Sequence, residues 1–112
     1  MADTRDPAVV LFIHNRPNPT RRVFDTIRRA EPRRLFVFAD GPRGDVPDDV
    51  VRTGLARAET ERVDWDCHVF RDYAPANLGI KRRIESGLGR AFDEVGTAIV
   101  LEDDCIPDAS FF

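Results

Sequence analysis

Two segments of this sequence are apolar at nearly every position: Ala8-Val9-Val10-Leu11-Phe12-Ile13-His14 and Leu35-Phe36-Val37-Phe38-Ala39. A strand with one wet face alternates apolar and polar side chains. An unbroken run of β-branched and aromatic residues needs cover on both faces. Each run is followed by a stretch of helical periodicity. After the first come Asn15-Arg16-Pro17-Asn18-Pro19-Thr20, a loop and helix start with Asn18 or Thr20 as candidate caps, and then Val23, Phe24, Ile27 and Ala30 at helical spacing. Glu31-Pro32 stops that helix, because the residue before proline is pushed out of the α region. After the second come Asp40-Gly41-Pro42-Arg43-Gly44, a turn signal, and a helix expected over residues 46–62 with Pro47 in its first turn. Its expected inner stripe is Val50, Val51, Leu55 and Ala58.

The remaining sequence repeats the alternation. Residues 65–70, Trp-Asp-Cys-His-Val-Phe, read as a weaker third strand, with loop over 71–79. Ile80, Ile84, Leu88, Ala91 and Phe92 form a helical stripe that ends near Gly96. Residues 97–101 are a fourth strand, which runs into Glu102-Asp103-Asp104, and Asp108 is a candidate cap for a further helix. The order β-α-β-α-β-α-β implies right-handed crossovers and a mostly parallel sheet with helices on both faces, a Rossmann-like α/β fold. Ligands of such sheets bind outside the carboxyl ends of the strands. Those ends carry Asn15-Arg16, Asp40-Gly41, Arg71-Asp72 and Glu102-Asp103-Asp104.

Composition narrows the partners. With 112 residues the chain has room for one domain, and 17 basic against 20 acidic side chains give a formal charge of −3. That balance argues against charge-driven nucleic-acid binding. No apolar run reaches the length of a membrane span. Two cysteines, Cys67 and Cys105, are too few for a disulfide scaffold and point to a reducing, cytoplasmic setting, with the inner face of the membrane as an alternative. Only Lys81 among the basic residues is lysine, which reads as the codon bias of a GC-rich bacterial genome and lowers the weight of any arginine cluster.

Three consecutive acids at the end of a buried strand repel one another unless a hard cation or solvent neutralises them. Mg²⁺ and Mn²⁺ take one or two carboxylates together with substrate phosphates. The alternative is that Asp104 and Asp108 only cap and charge the next helix. Asp40 before Gly41 is also an ordinary turn residue, and Arg16 also reads as a solvated loop charge. His14 reads as a satisfied strand-end histidine, while Cys67 and His68 have no metal-ligand spacing. Lys81, Arg82 and Arg83 read as a solvated helical face, and Cys105 as a packing residue.

Ile99-Val100-Leu101-Glu102-Asp103-Asp104 followed by Pro107-Asp108 and Phe111-Phe112 resembles the acidic motif of nucleotide-sugar-dependent glycosyltransferases of the GT-A fold, closest to family 2-like and N-acetylglucosaminyltransferase-like members. Phe12 to Pro17, Phe38-Ala39-Asp40-Gly41, and Asn77-Leu78-Gly79 through Phe92 resemble other segments of that fold, in the same order. The likeness covers residues 1–112 as the donor-binding half only. It implies a metal-dependent transfer of sugar from a nucleotide-diphosphate sugar, UDP first, with GDP and dTDP open. Asp104 would be the direct Mn²⁺ or Mg²⁺ ligand. Asp103 and Glu102 would contact ribose, sugar or metal-bound water, Asp40 the base, and Arg16 the phosphates. The acceptor half and the catalytic base are expected from sequence beyond this stretch, so the chain alone is expected to bind donor without turnover. The rival readings are a non-catalytic nucleotide- or metal-binding domain, a sugar nucleotidyltransferase, and a receiver-like domain. The last two lack their expected signals after the first strand, where His14-Asn15-Arg16-Pro17 stands.

Overall fold

The computed structural model describes residues 7–104. It is an α/β fold in the order β1 (Ala8–Ile13), α1 (Pro17–Ala30), β2 (Arg34–Ala39), α2 (Asp49–Glu59), β3 (His68–Tyr73), α3 (Ile80–Glu94) and β4 (Ala98–Glu102). The strands form one sheet in the order β3-β2-β1-β4, all parallel. The two apolar runs are thus the two central strands, and every residue of β1 is buried.

Parity explains the layering, since successive side chains of a strand point to opposite faces. Val9, Leu11 and Ile13 of β1, with Leu35, Val37 and Ala39 of β2, join Val23, Phe24 and Ile27 of α1 and Ala56 of α2 in one core. Ala8, Val10 and Phe12, with Phe36 and Phe38, join Ala91 of α3 in the other, flanked by Phe70, Ile84 and Leu88. In that second layer Phe12 stacks on Phe38 at 5.5 Å, and Phe70 tilts against Phe38 at 6.0 Å. α3 lies close on these rings because it presents Gly87. A Cβ there would fall 2.6 Å from Phe12 Cε1 and 2.9 Å from Phe38 Cγ. Gly54 of α2 faces open space. Gly87→Ala is therefore expected to lower the melting midpoint, because overpacking costs about 1–3 kcal/mol. Gly54→Ala is expected to raise it through a helix-propensity gain of about 0.5–1 kcal/mol. Thermal denaturation of the two variants side by side checks both signs.

Several boundaries and faces differ from the sequence reading. β3 begins at His68 and continues through Arg71, Asp72 and Tyr73, which the pattern had placed in a loop. The reason is its edge position: it pairs only with β2, from Arg34↔His68 to Ala39↔Tyr73, so polar residues are tolerated. Trp65 precedes the strand, tilts against Phe24 at 6.0 Å and donates its indole N–H to Pro32 O at 2.7 Å. α2 starts at Asp49 and buries Asp49, Thr53 and Ala56. The expected stripe points outward, with Val50 66%, Val51 63% and Leu55 53% exposed. In α3, Ile84, Leu88 and Ala91 face the sheet, but Ile80 and Phe92 are exposed.

α1 begins directly after Arg16, with Pro17 in its first turn, so neither Asn18 nor Thr20 caps it. Its expected stop holds: Glu31 takes a left-handed conformation at φ 50° and donates its N–H to Ile27 O at 3.1 Å. The helix expected from Asp108, together with Cys105 and Phe111-Phe112, lies outside the described residues. Among the described residues no helix is long and apolar enough to cross a membrane.

Candidate functional site

The carboxyl edge of a parallel sheet is lined with carbonyl groups that need donors. At β2 and β3, two arginines supply them from opposite faces of the sheet. Arg83 of α3, only 5% exposed, donates Nε to Ala39 O at 3.1 Å and Nη2 to Asp72 O. Its Nη1 donates to Ser86 Oγ at 3.1 Å, and its guanidinium lies 5.3 Å from the centre of the Phe38 ring. Arg57 of α2 donates Nη2 to Asp40 O at 3.1 Å and to Ala74 O at 2.8 Å, over the Tyr73 ring. Arg83 is thus no part of a solvated helical face, although Lys81 and Arg82 are exposed. Beside these contacts lies a cavity of about 300 Å³ around the ends of β1 and β4, with Asp40 and Arg83 in its wall.

That location is where the strand order reverses. From β1 the chain proceeds to β2 and β3, then returns across α3 to β4 on the other side of β1. At such a point of a parallel sheet a crevice opens outside the carboxyl ends of the strands. Asp40, following β2, and Asp103-Asp104, following β4, therefore line the cavity from opposite sides of β1. The α3 side is largely neutral or apolar, with Asn77, Gly79, Ile80 and Ile84, and its one charged residue, Arg83, is turned to the Ala39 and Asp72 carbonyls. The β4 side is charged, with Arg16, Glu102, Asp103 and Asp104. All five residues singled out in the sequence line this one cavity.

Their geometries differ. Asp40 is buried and its carboxylate is fully engaged by the chain itself. Oδ1 accepts from Gly41 N and Leu78 N, each at 2.8 Å, and Oδ2 accepts from Gly79 N at 3.1 Å and Asn77 Nδ2 at 3.2 Å. Gly41 lies so close to Ala76 that a Cβ would sit 2.4 Å from its carbonyl carbon. Asp40 and Gly41 thus clamp the 76–79 loop onto the end of β2. Gly79, at φ 85°, then starts α3 without a side-chain cap.

On the charged side, Arg16 Nη1 lies 3.7 Å from Asp104 Oδ2, with the two side chains 58% and 60% exposed. Such a pair is screened by solvent and weak, so both groups are available to a ligand. Burial pushes the Asp103 carboxyl above the ordinary range; Arg16 opposes this, Asp104 and Glu102 reinforce it, and the His14 backbone N–H opposes it. Among the described residues no three His, Cys, Asp or Glu side chains converge into a metal-holding group. A divalent cation fits the acidic turn only with oxygens from a ligand completing its shell, which is how Mg²⁺ sites that include phosphate are built.

Asp49, beside the cavity though not in its lining, is a buried charge that sequence reading missed. It is wholly buried at the start of α2. It accepts from Asn15 Nδ2 at 2.7 Å, Arg43 N at 2.8 Å, Arg43 Nε at 3.1 Å and Arg43 Nη2 at 3.2 Å. His14 Nε2 stands 3.0 Å from Gly41 O and 3.5 Å from Asp49 Oδ2, the hydrogen-bonded strand-end histidine that its position suggested. The only hint of Asp49 in the sequence is an acid in a helix first turn, and Asp45 and Asp48 offer the same hint. Arg83 was missed as well, read as part of a solvated helical face; the signal that could have found it is that Gly87 and Ala91 follow it at four-residue spacing along the buried ridge of α3.

The Arg43 side chain and backbone N–H and the Asn15 amide hold the Asp49 carboxyl well below the usual carboxylate range. A carboxyl lowered in the folded state contributes stability that is complete above its unfolded pKa and is lost as pH falls. Melting midpoints of the wild type should therefore begin to drop near pH 4, about the unfolded value, and keep dropping with acid. Asp49→Asn should start lower at pH 7 and show a shallower acid slope.

No protein-family model, curated protein or solved structure matches the chain.

Proposed function

We propose that this chain binds a nucleotide-diphosphate sugar together with Mn²⁺ or Mg²⁺, as the donor-binding part of a metal-dependent GT-A glycosyltransferase. The observation that carries this reading is the two-sided cavity at the point where the strand order reverses, with its charged side built from Arg16, Asp103 and Asp104. The diphosphate would lie on that side and the nucleoside against Asn77, Gly79, Ile80 and Ile84. Arg16 offers the phosphates a fixed fork of donors and can swing from Asp104 at little cost. Asp104, the more open carboxylate of the turn, would hold the cation directly. Asp103, whose charge is disfavoured by burial, would gain from its presence, and Glu102 would face ribose or sugar. A bound cation supplies charge neutralisation where the diphosphate leaves. Asp40 enters as the residue that shapes the nucleoside wall, since the chain's own donors occupy its lone pairs.

The test is a thermal-shift panel with UDP, GDP and dTDP, each with and without Mn²⁺. The expected result is stabilisation by one nucleotide, UDP first, that depends on the metal. Equal response to all three with EDTA present would refute metal-assisted diphosphate binding.

A further inference from the structure

We propose that Asp49 is a positioning residue of the cavity, which fixes the end of β1 so that Arg16 stands at the charged side. This rests on the diphosphate reading above and adds a residue remote from the ligand to it. Arg16 lines the cavity, whereas Asp49 is absent from its lining.

Arg16 needs such support. It is the N-cap of α1, yet that cap carries no side-chain hydrogen bond, and the first turn of α1 contains no acid. The ion pair to Asp104, at 3.7 Å between two exposed side chains, is too weak to hold it. On its C-terminal side the segment is tied by Thr20 N donating to Arg16 O at 3.0 Å. On its N-terminal side the nearest tie is the 2.7 Å bond from Asn15 Nδ2 to Asp49 Oδ1.

Asp49 is placed unusually for that task. A carboxylate in the first turn of a helix normally stays in solvent and favours the helix dipole from there. This one is fully buried, and its hydrogen bonds come from Asn15 of the loop after β1 and Arg43 of the loop after β2. Burying a charge is costly unless its acceptors are filled, and here they are filled by the two loops that leave the central strands. The carboxylate therefore joins those loops to the start of α2. If Asn15 loses its partner, Arg16 keeps its helix but loses the fixed angle at which the chain enters it.

The decisive experiment measures binding of inorganic pyrophosphate with Mn²⁺ alongside backbone amide NMR. The proteins are the wild type, Asp49→Asn, Asn15→Ala and the exchange variant Asn15→Asp/Asp49→Asn. Asn15→Ala leaves the Asp49–Arg43 contacts in place, so it reports on the loop even where Asp49→Asn fails to fold. The expected result is at least a tenfold rise in Kd for both single variants. The amide signals of residues 14–16 should broaden or shift while those of 77–79, held by Asp40, stay in place. The exchange variant should recover most of the affinity, which a general loss of structure would not allow. Wild-type binding with unchanged affinity in Asn15→Ala would overturn the positioning role and leave the diphosphate reading intact. No wild-type binding of Mn²⁺ and pyrophosphate would overturn both.

Discussion

Arg83→Met is expected to destabilise the folded chain by about 3 kcal/mol or more, while Arg82→Met one residue earlier changes stability by no more than about 0.5 kcal/mol. The two arginines are adjacent in sequence and opposite in environment. Arg82 is exposed, whereas Arg83 is 5% exposed and bonds the terminal carbonyls of β2 and β3. Methionine fills a similar volume but donates nothing. Asp72 O would lose its arginine donor, and Ala39 O would lose one of two donors, keeping the Ala74 N–H at 2.9 Å; a buried hydrogen bond lost in this way costs about 1–3 kcal/mol where water cannot replace it. The Asp72 carboxylate, 3.5 Å from Nη2, would lose its partner, and the Phe38 ring would lose the cation above it. Arg83→Lys should recover only part of this, because one ammonium cannot reproduce a planar fork that spans two strands. Urea denaturation of the three variants checks the order. Arg83→Met within about 1 kcal/mol of wild type would mean that Ala74 N–H and water satisfy those carbonyls without the arginine, and would contradict its role as a core residue.

The second large effect concerns the acidic turn. Asp103→Asn/Asp104→Asn is expected to weaken UDP binding at least about tenfold when Mn²⁺ is present, or about 1.4 kcal/mol. With EDTA present the sign should reverse. Two carboxylates beside a diphosphate repel it, so their neutralisation removes repulsion when no cation intervenes. This crossing of effects separates ligation from general damage, since a misfolded site would lose affinity under both conditions. The single change Asp103→Asn carries its own stability prediction. Burial raises the Asp103 carboxyl, so at pH 7 its ionised form opposes folding, and the amide should raise the melting midpoint of the ligand-free chain. A residue that costs stability in the free protein and adds affinity with metal present is what a ligand site leads one to expect.

Residues 8–13 and 34–39 were legible as central strands because apolar side chains at both parities leave a strand no wet face. From them a parallel sheet with helices on both faces follows, as observed. β3 was legible only in part, since an edge strand relaxes the demand for apolar residues, and its polar end Arg71-Asp72 imitates a loop. The face of α2 was misread for a different reason. Val50, Val51 and Leu55 have helical spacing, but α2 buries Asp49, Thr53 and Ala56 instead. Its inner face is set by hydrogen bonds to Asp49 and by small residues, and neither leaves a hydrophobic pattern. The same cause hid Arg83. An arginine whose donors go to two backbone carbonyls and a serine hydroxyl behaves as a core residue, and beside Arg82 only its four-residue spacing to Gly87 and Ala91 hints at this in the sequence. That Arg16, Asp40, Glu102, Asp103 and Asp104 would come together was legible because all of them follow or end strands at the same carboxyl edge, and they line one cavity. That Asp40 is spent on its own loop became visible only with Leu78 and Gly79 in place.

The central claim is that the acidic turn and a diphosphate hold a divalent cation jointly. The most direct measurement is a calorimetric titration of Mn²⁺ into the protein with and without UDP, referenced to Mn²⁺ and UDP alone. The expected result is weak or undetectable metal binding to the free protein and at least tenfold tighter binding when UDP is bound, because among the described residues the turn supplies too few ligands by itself. Linkage requires the same factor in UDP affinity on adding Mn²⁺. Metal affinity that is the same with and without UDP, or UDP affinity that is the same with and without metal, would contradict the claim and leave Glu102-Asp103-Asp104 as a charged turn with no part in a ligand site.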